Sequence, residues 1–269
     1  MNHNIFEPSE NLSSLIKCYW TLESSKENIP KKNIIVPDGH IKIIFHYRDL
    51  FKQYDKKSKT FSSPRSFVVG QLTQPIELLR TGDVGMFFVI FQPNGFLPFS
   101  NIPIKELENR TISLEEIFED DGINIEEKIL NAKTTEERID IIELFLTNRL
   151  SDKHNIDFIL KSTIETIIKT SGQLSVTDLS IEMNINKRKL ERTFLSNIGL
   201  NPKQLLKIIK LKNTLKFMSN TKNNSLTSIA YENEYYDQSH FNKIFKEFTG
   251  LTPKEFYGDE LELSLIFDN

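Results

Sequence analysis

A lone cysteine, Cys18, rules out an internal disulfide framework and any cysteine-cluster zinc site in this 269-residue chain. Beside Tyr19 and Trp20 it reads as a partly buried small hydrophobe. No apolar run approaches the ~20 residues needed to span a bilayer. Residues 1–15 carry neither a basic n-region nor a continuous apolar h-region, so a cytoplasmic protein without a membrane partner is expected. Catalytic signatures are missing as well. There is no Gly-x-Ser-x-Gly turn, no glycine-rich phosphate loop, and no His-x-His pair with a following Glu and a distant third His. His40 and His46 are expected to be surface or strand-edge histidines, and Asp38 beside Gly39 a turn former. No catalytic residue, metal or cofactor is expected.

What is present suits a globular chain of two domains, with 38% hydrophobic and 26% charged residues. The net charge of −3 is unevenly spread: residues 1–155 carry −4, residues 156–258 carry +5, and the tail 259–269 carries −4. A basic module inside an acidic whole is the electrostatic footprint of a nucleic-acid-binding domain with a non-binding companion.

The first part reads as short strands. Pro37-Asp38-Gly39 separates two β-branched runs, and residues 66–80 and 84–92 supply more, with glycine or proline near each boundary. An antiparallel barrel or sandwich follows. In residues 86–91, Phe87, Val89 and Phe91 face one way and Met86, Phe88 and Ile90 the other, so the strand is apolar on both sides. From Ser113 the period changes to three or four, predicting amphipathic helices over 113–151. Ile139, Ile142, Leu146 and Leu150 form a stripe fit for intradomain core, a dimer contact or a docking surface. The polar stretch 151–155 serves as a linker, and the remainder reads as helical to about Tyr257.

That remainder contains a repeat. Asn186 to Phe194 stands against Asp237 to Phe245, and Gly199-Leu-Asn-Pro202 against Gly250-Leu-Thr-Pro253, at a constant offset of 51. Upstream, Leu179 matches Ile229 at an offset of 50, so the second turn is one residue longer. Each copy makes sense as a helix-turn-helix unit. Asn186 and Asp237 are N-cap residues, and Leu190 with Phe194, and Phe241 with Phe245, form buried stripes. Lys187, Arg188, Glu191 and Arg192 then lie outward on the first unit, and Gln238, Ser239 and Lys243 on the second, with His240 near the boundary. Such donor-rich side chains suit base edges and phosphates of a major groove. Gly199 and Gly250 stop their helices, while Asn201, Pro202 and Gln204 start a long helix that runs to about Met218 and joins the units.

Ile229-Ala230, Asp237-Gln-Ser-His-Phe241 and Phe245-Lys-Glu-Phe-Thr-Gly-Leu-Thr-Pro253 closely resemble the C-terminal signature of AraC/XylS-type bacterial transcription regulators. The resemblance covers about Phe158 to Tyr257 and implies two units on adjacent major-groove segments. It puts Arg188, Glu191 and Arg192 at base-reading positions of the first unit, and Gln238, Ser239 and Lys243 at those of the second. The family's turn glycines are replaced by Asn184 and Glu234. Asn tolerates a left-handed backbone, whereas Glu costs about 1 kcal/mol there, so a less rigid or reshaped second turn is expected. Tyr19-Trp20, Val36-Pro-Asp-Gly39, Ile41 to Phe45, Val69-Gly70 and Phe91-Gln-Pro93 resemble, more loosely, a cupin-like sensory domain of a poorly characterised branch of these regulators.

The expectation is thus an α+β chain. Residues 1–152 form a β-rich, cupin-like sensory or dimerisation domain with trailing helices; 153–258 form an all-α double helix-turn-helix domain; 259–269 form an acidic tail. Double-stranded DNA is the expected partner, with RNA polymerase, a small-molecule effector and a second copy as further candidates. Two rivals stay open: an alkyl-transfer repair enzyme fused to a regulator, for which one thiol is a poor supply, and an interaction adaptor that has lost DNA binding.

Overall fold

The computed structural model describes residues 2–25, 32–54, 60–150, 157–220 and 225–258. The expected linker at 151–155 and the acidic tail 259–269 therefore lie outside the described residues.

The N-terminal part begins with β1 (Asn2–Phe6), β2 (Ile16–Ser24), β3 (Lys32–Ile35), β4 (Lys42–His46) and β5 (Phe51–Tyr54). It continues with β6 (Thr60–Ser62), β7 (Ser66–Val69), β8 (Ile76–Arg80), β9 (Val84–Phe91) and β10 (Thr111–Ser113). These form two antiparallel sheets: six strands in the order β1-β2-β9-β4-β7-β10, and four in the order β3-β8-β5-β6. No ladder joins them among the described residues, so the expected cupin-like architecture is a pair of open sheets and not a closed barrel. The two runs around Pro37-Asp38-Gly39 do not pair with each other. β3 belongs to the small sheet and β4 to the large one, so this turn carries the chain between sheets.

The doubly apolar β9 explains the layering. Met86, Phe88 and Ile90 join Trp20, Ile44, Phe67 and Phe51 in a core between the sheets. Phe87, Val89 and Phe91 face the opposite way. There they meet α1 (Leu114–Phe118), α2 (Asp120–Asn131) and α3 (Thr135–Arg149) through Ile117, Phe118, Ile125, Ile129, Ile142 and Leu146. Ile142 and Leu146 are fully buried in this core, so the stripe suspected of making a dimer or docking contact is spent inside its own domain.

Both histidines depart from expectation. His40 and His46 are buried, and burial holds their pKa at about 3 and about 4. A dry site penalises the charged imidazolium, so both rings are neutral at pH 7. His40 Nδ1 lies 2.7 Å from the carbonyl of Phe91. Asp38 does form the turn, accepting the His40 amide at 3.2 Å, and it also pairs with buried Lys42 at 2.7 Å. Burial pushes the Asp38 carboxyl up, but Lys42 and His40 outweigh it, and its pKa falls below the ordinary value.

The C-terminal part is all helical: α4 (Phe158–Lys169), α5 (Val176–Glu182), α6 (Lys187–Asn197), α7 (Pro202–Asn220), α8 (Leu226–Glu232), α9 (Gln238–Thr249) and α10 (Pro253–Gly258). At ~1.5 Å rise per residue, the 19 residues of α7 span roughly 28 Å. The N-terminal part rests against this helix and against the far ends of α6 and α9. Ile34 and Val36 share the core of the helical part. At Gly39 a Cβ would stand 2.9 Å from Leu205 Cδ1 of α7, so glycine permits the approach. Just past α6, the Ile104 carbonyl stands 3.0 Å from the Cβ position of Gly199, and just past α9, Pro75 Cγ stands 3.4 Å from that of Gly250.

Candidate nucleic-acid interface

Each helix-turn-helix unit is assembled from local signals in the order the chain meets them. α5 opens with a reciprocal capping box: Ser175 accepts the Asp178 amide and Asp178 accepts the Ser175 amide. α8 opens on Ser225, which accepts the Ser228 amide at 3.1 Å. Both helices end in the same Schellman turn. In the first, Asn184 N–H donates to Ile181 O and Ile185 N–H to Ser180 O, both at 3.0 Å. In the second, Glu234 N–H donates to Tyr231 O and Tyr235 N–H to Ala230 O, both at 2.9 Å. The residues correspond one for one at the offset of 50.

Asn184 and Glu234 both occupy the left-handed region, at φ +47° and +55°. The second turn is therefore not reshaped by glutamate; it keeps the geometry and is braced from α7. Lys210 Nζ donates to the Glu234 carbonyl at 2.8 Å and stands 4.9 Å above the Tyr235 ring. Tyr235 is buried, its hydroxyl 3.1 Å from Thr214 Oγ1 of α7, and burial raises its pKa to about 12. Partial burial lowers the Lys210 pKa, with Glu234 opposing.

The recognition helices start where the sequence indicates. Asn186 accepts the Arg188 amide at 2.9 Å, and Asp237 accepts the His240 amide at 2.7 Å. Leu190, Phe194, Phe241 and Phe245 are buried at 0–1% exposure. Lys187, Arg188, Glu191 and Arg192 are exposed on α6, and Ser239, His240 and Lys243 on α9, while Gln238 is half-buried. His240 sits edge-on to Tyr235 at 5.9 Å, at the boundary between core and solvent. Gly199 and Gly250 end their helices at φ +84° and +76°. Asn201 and Gln204 then exchange hydrogen bonds at 2.8 and 2.9 Å to start α7.

Sequence reasoning missed the tie that orients the first residue of each recognition helix. Lys187 Nζ donates to Thr177 Oγ1 at 2.7 Å, and the Thr227 hydroxyl donates to Gln238 Oε1 at 2.8 Å. The offset of 50 pairs Thr177 with Thr227, so extending the repeat into α5 and α8 would have exposed it. On α7, both Glu247 oxygens lie 3.1 Å from Lys207 Nζ, which ties α7 to α9.

Residues 4–113 match the family described as Domain of unknown function (DUF6597), and residues 179–258 match the family described as Helix-turn-helix domain. No curated protein matches the chain. Among solved structures, ToxT from Vibrio cholerae O395 is 14% identical, covering 89% of this chain and 97% of that one at a TM-score of 0.44. ToxT from the same species with an unsaturated fatty acid bound is 14% identical, with coverage of 88% and 93% and a TM-score of 0.43. The AraC-like transcriptional activator CuxR is 14% identical, with coverage of 81% and 87% and a TM-score of 0.26. No helix among the described residues is long and apolar enough to cross a membrane. With their two capped units and matching turns, residues 179–258 form a helix-turn-helix domain of the matched family, and the chain is a DNA-binding transcription regulator.

Proposed function

We propose that this regulator reads an operator with Lys187, Arg188, Glu191 and Arg192 in one major-groove segment and with Gln238, Ser239, His240 and Lys243 in the next. The observation that carries the assignment is the paired tie of Lys187 to Thr177 and Gln238 to Thr227, which orients the first side chain of each helix at the groove-facing end. The N-terminal residues of a second helix are the ones that meet base edges in such units. A separation of about one DNA turn, ~34 Å, matches two heads joined by a helix of this length.

Control is assigned to the N-terminal part, which rests on α7 and on the C-terminal ends of both recognition helices. A small-molecule effector, as in the fatty-acid-bound ToxT structure, or a second copy of the chain acts through them, and RNA polymerase is the downstream partner. The protein works in the cytoplasm and without catalysis, in keeping with a half-buried Cys18 as its one thiol. Selection of bound duplexes from random DNA, with and without candidate metabolites, tests the assignment. A selected motif of two half-sites about one turn apart is expected; enrichment of no motif would sink it.

A further inference from the structure

The extra residue in the second turn is Tyr236. Up to Tyr235 the two units correspond at an offset of 50, and from Asp237 onward at 51, so Tyr236 is the one position with no counterpart in the first unit. It is 93% exposed, and among the described residues it makes no hydrogen bond and no ring contact. A free aromatic side chain is an odd choice for a loop that needs only one more residue, because its ring gains nothing from water.

Its backbone, by contrast, is held from both sides. On the N-terminal side, Lys210 binds the Glu234 carbonyl, and Tyr235 is buried against α7 with its hydroxyl on Thr214. On the C-terminal side, Asp237 caps α9 through the His240 amide. Tyr236 is thus a freely projecting side chain on an anchored base, immediately before the N-cap of a recognition helix. The position lies two residues before α9, beside its positive N-terminal end, and helix N-termini are among the groups that meet phosphate oxygens. A tyrosine hydroxyl is one of the donors used on phosphate oxygens, and its ring can lie against the sugar.

We propose that Tyr236 contacts DNA in the second half-site, donating its hydroxyl to one phosphate oxygen of the strand that flanks α9. The assignment rests on the operator-reading function proposed above and adds to it a residue that fixes register and affinity but reads no base. It also makes the two units unequal: the first has no such anchor, so the second grips the backbone more firmly.

The test uses the full chain and a duplex selected by it from random DNA. Tyr236→Phe removes only the hydroxyl, and Tyr236→Ala removes the ring as well. At 93% exposure neither should change the melting temperature. Tyr236→Phe should bind the selected duplex roughly tenfold more weakly, the scale of one hydrogen bond to a charged group. Its base preferences should match the parent's. Single methylphosphonate substitutions along both strands should then reveal one phosphate beside the second half-site whose neutralisation weakens the parent and leaves Tyr236→Phe unchanged. Parental affinity in both variants would overturn the proposal, and so would an altered base preference. If the parent selects no duplex at all, the operator-reading function fails first and the proposal goes with it.

Discussion

Lys187 and Thr177 stand ten residues apart in sequence, but the Schellman turn between them brings Nζ to 2.7 Å from the hydroxyl. Thr227 and Gln238 repeat the arrangement in the other unit with donor and acceptor exchanged. A flexible lysine or glutamine on a helix end would otherwise sample many rotamers; one hydrogen bond to the supporting helix narrows that choice before DNA arrives. Thr177→Val and Thr227→Val preserve shape and remove the tie. Each should weaken operator binding by about 0.5–1.5 kcal/mol with the fold intact, as read by fluorescence anisotropy. Equal affinity in both variants would mean that Lys187 and Gln238 do not face DNA.

Base reading is separable from support. Arg192→Ala and Lys243→Ala should each relax preference at one operator position, at a cost of roughly 1–3 kcal/mol where a base contact is lost. Lys207→Ala should act differently, because Lys207 holds Glu247 and so fixes α9 against α7. It should weaken binding to all sequences nearly alike. Quantitative selection with each variant distinguishes the two patterns, and unchanged specificity in both recognition-helix variants would show the faces to be misassigned.

The left-handed Glu234 gives a stability prediction. A residue with a Cβ at φ +55° costs on the order of 1 kcal/mol, which glycine avoids, although glycine is also more flexible in the unfolded chain. Glu234→Gly should therefore raise stability by up to about 1 kcal/mol, and Lys210→Met, which removes the bond to the Glu234 carbonyl, should lower it by a similar amount. Chemical denaturation monitors both. A clear loss of stability in Glu234→Gly would show that the glutamate side chain itself supports the turn.

Acid sensitivity follows from the buried histidines. In the unfolded chain a histidine titrates near 6.5, whereas in the folded one His40 and His46 resist protonation to about 3 and about 4. As pH drops below about 6.5 the unfolded chain takes up protons that the folded chain refuses, so stability falls. Each histidine contributes roughly 1.4 kcal/mol per pH unit once well below 6.5 and above its folded value. Asp38, with its lowered pKa, acts in the same direction at lower pH, because its stabilising charge is lost as pH falls through the folded value. Denaturation midpoints at pH 7.5, 5.5 and 4.5 should fall steadily, and His46→Leu should flatten the slope. Parallel slopes in parent and variant would remove His46 as a cause.

The helical part was legible because its signals are local. Asn186, Asp237, Gly199 and Gly250 specify helix ends within a few residues, and the repeat allowed each unit to check the other. The sheets were less so. β3 and β4 are β-branched runs around a good turn signal, and nothing in that stretch says that their partners are β8 on one side and β7 and β9 on the other. Period two is compatible with a barrel and with two open sheets alike. His40 and His46 were misplaced for a related reason: burial depends on which strands cover a residue, and polar type alone suggested the surface. The stripe from Ile139 to Leu150 was a fair core signal, but only the fold shows that its cover is β9 and its neighbours.

The contacts of Ile104 with Gly199 and of Pro75 with Gly250 bear on the ends of α6 and α9 farthest from their caps. A tilt of either helix to follow a groove would press its glycine against the N-terminal part, and a shift of that part would press back on both helices. Equilibrium thermodynamics then allows no one-way traffic: a molecule that alters DNA affinity by some factor through these contacts must find its own affinity altered by the same factor when DNA is bound. An operator occupied by this protein would thereby tune the affinity of any effector that acts through these contacts, so the genome would take part in sensing as well as in response.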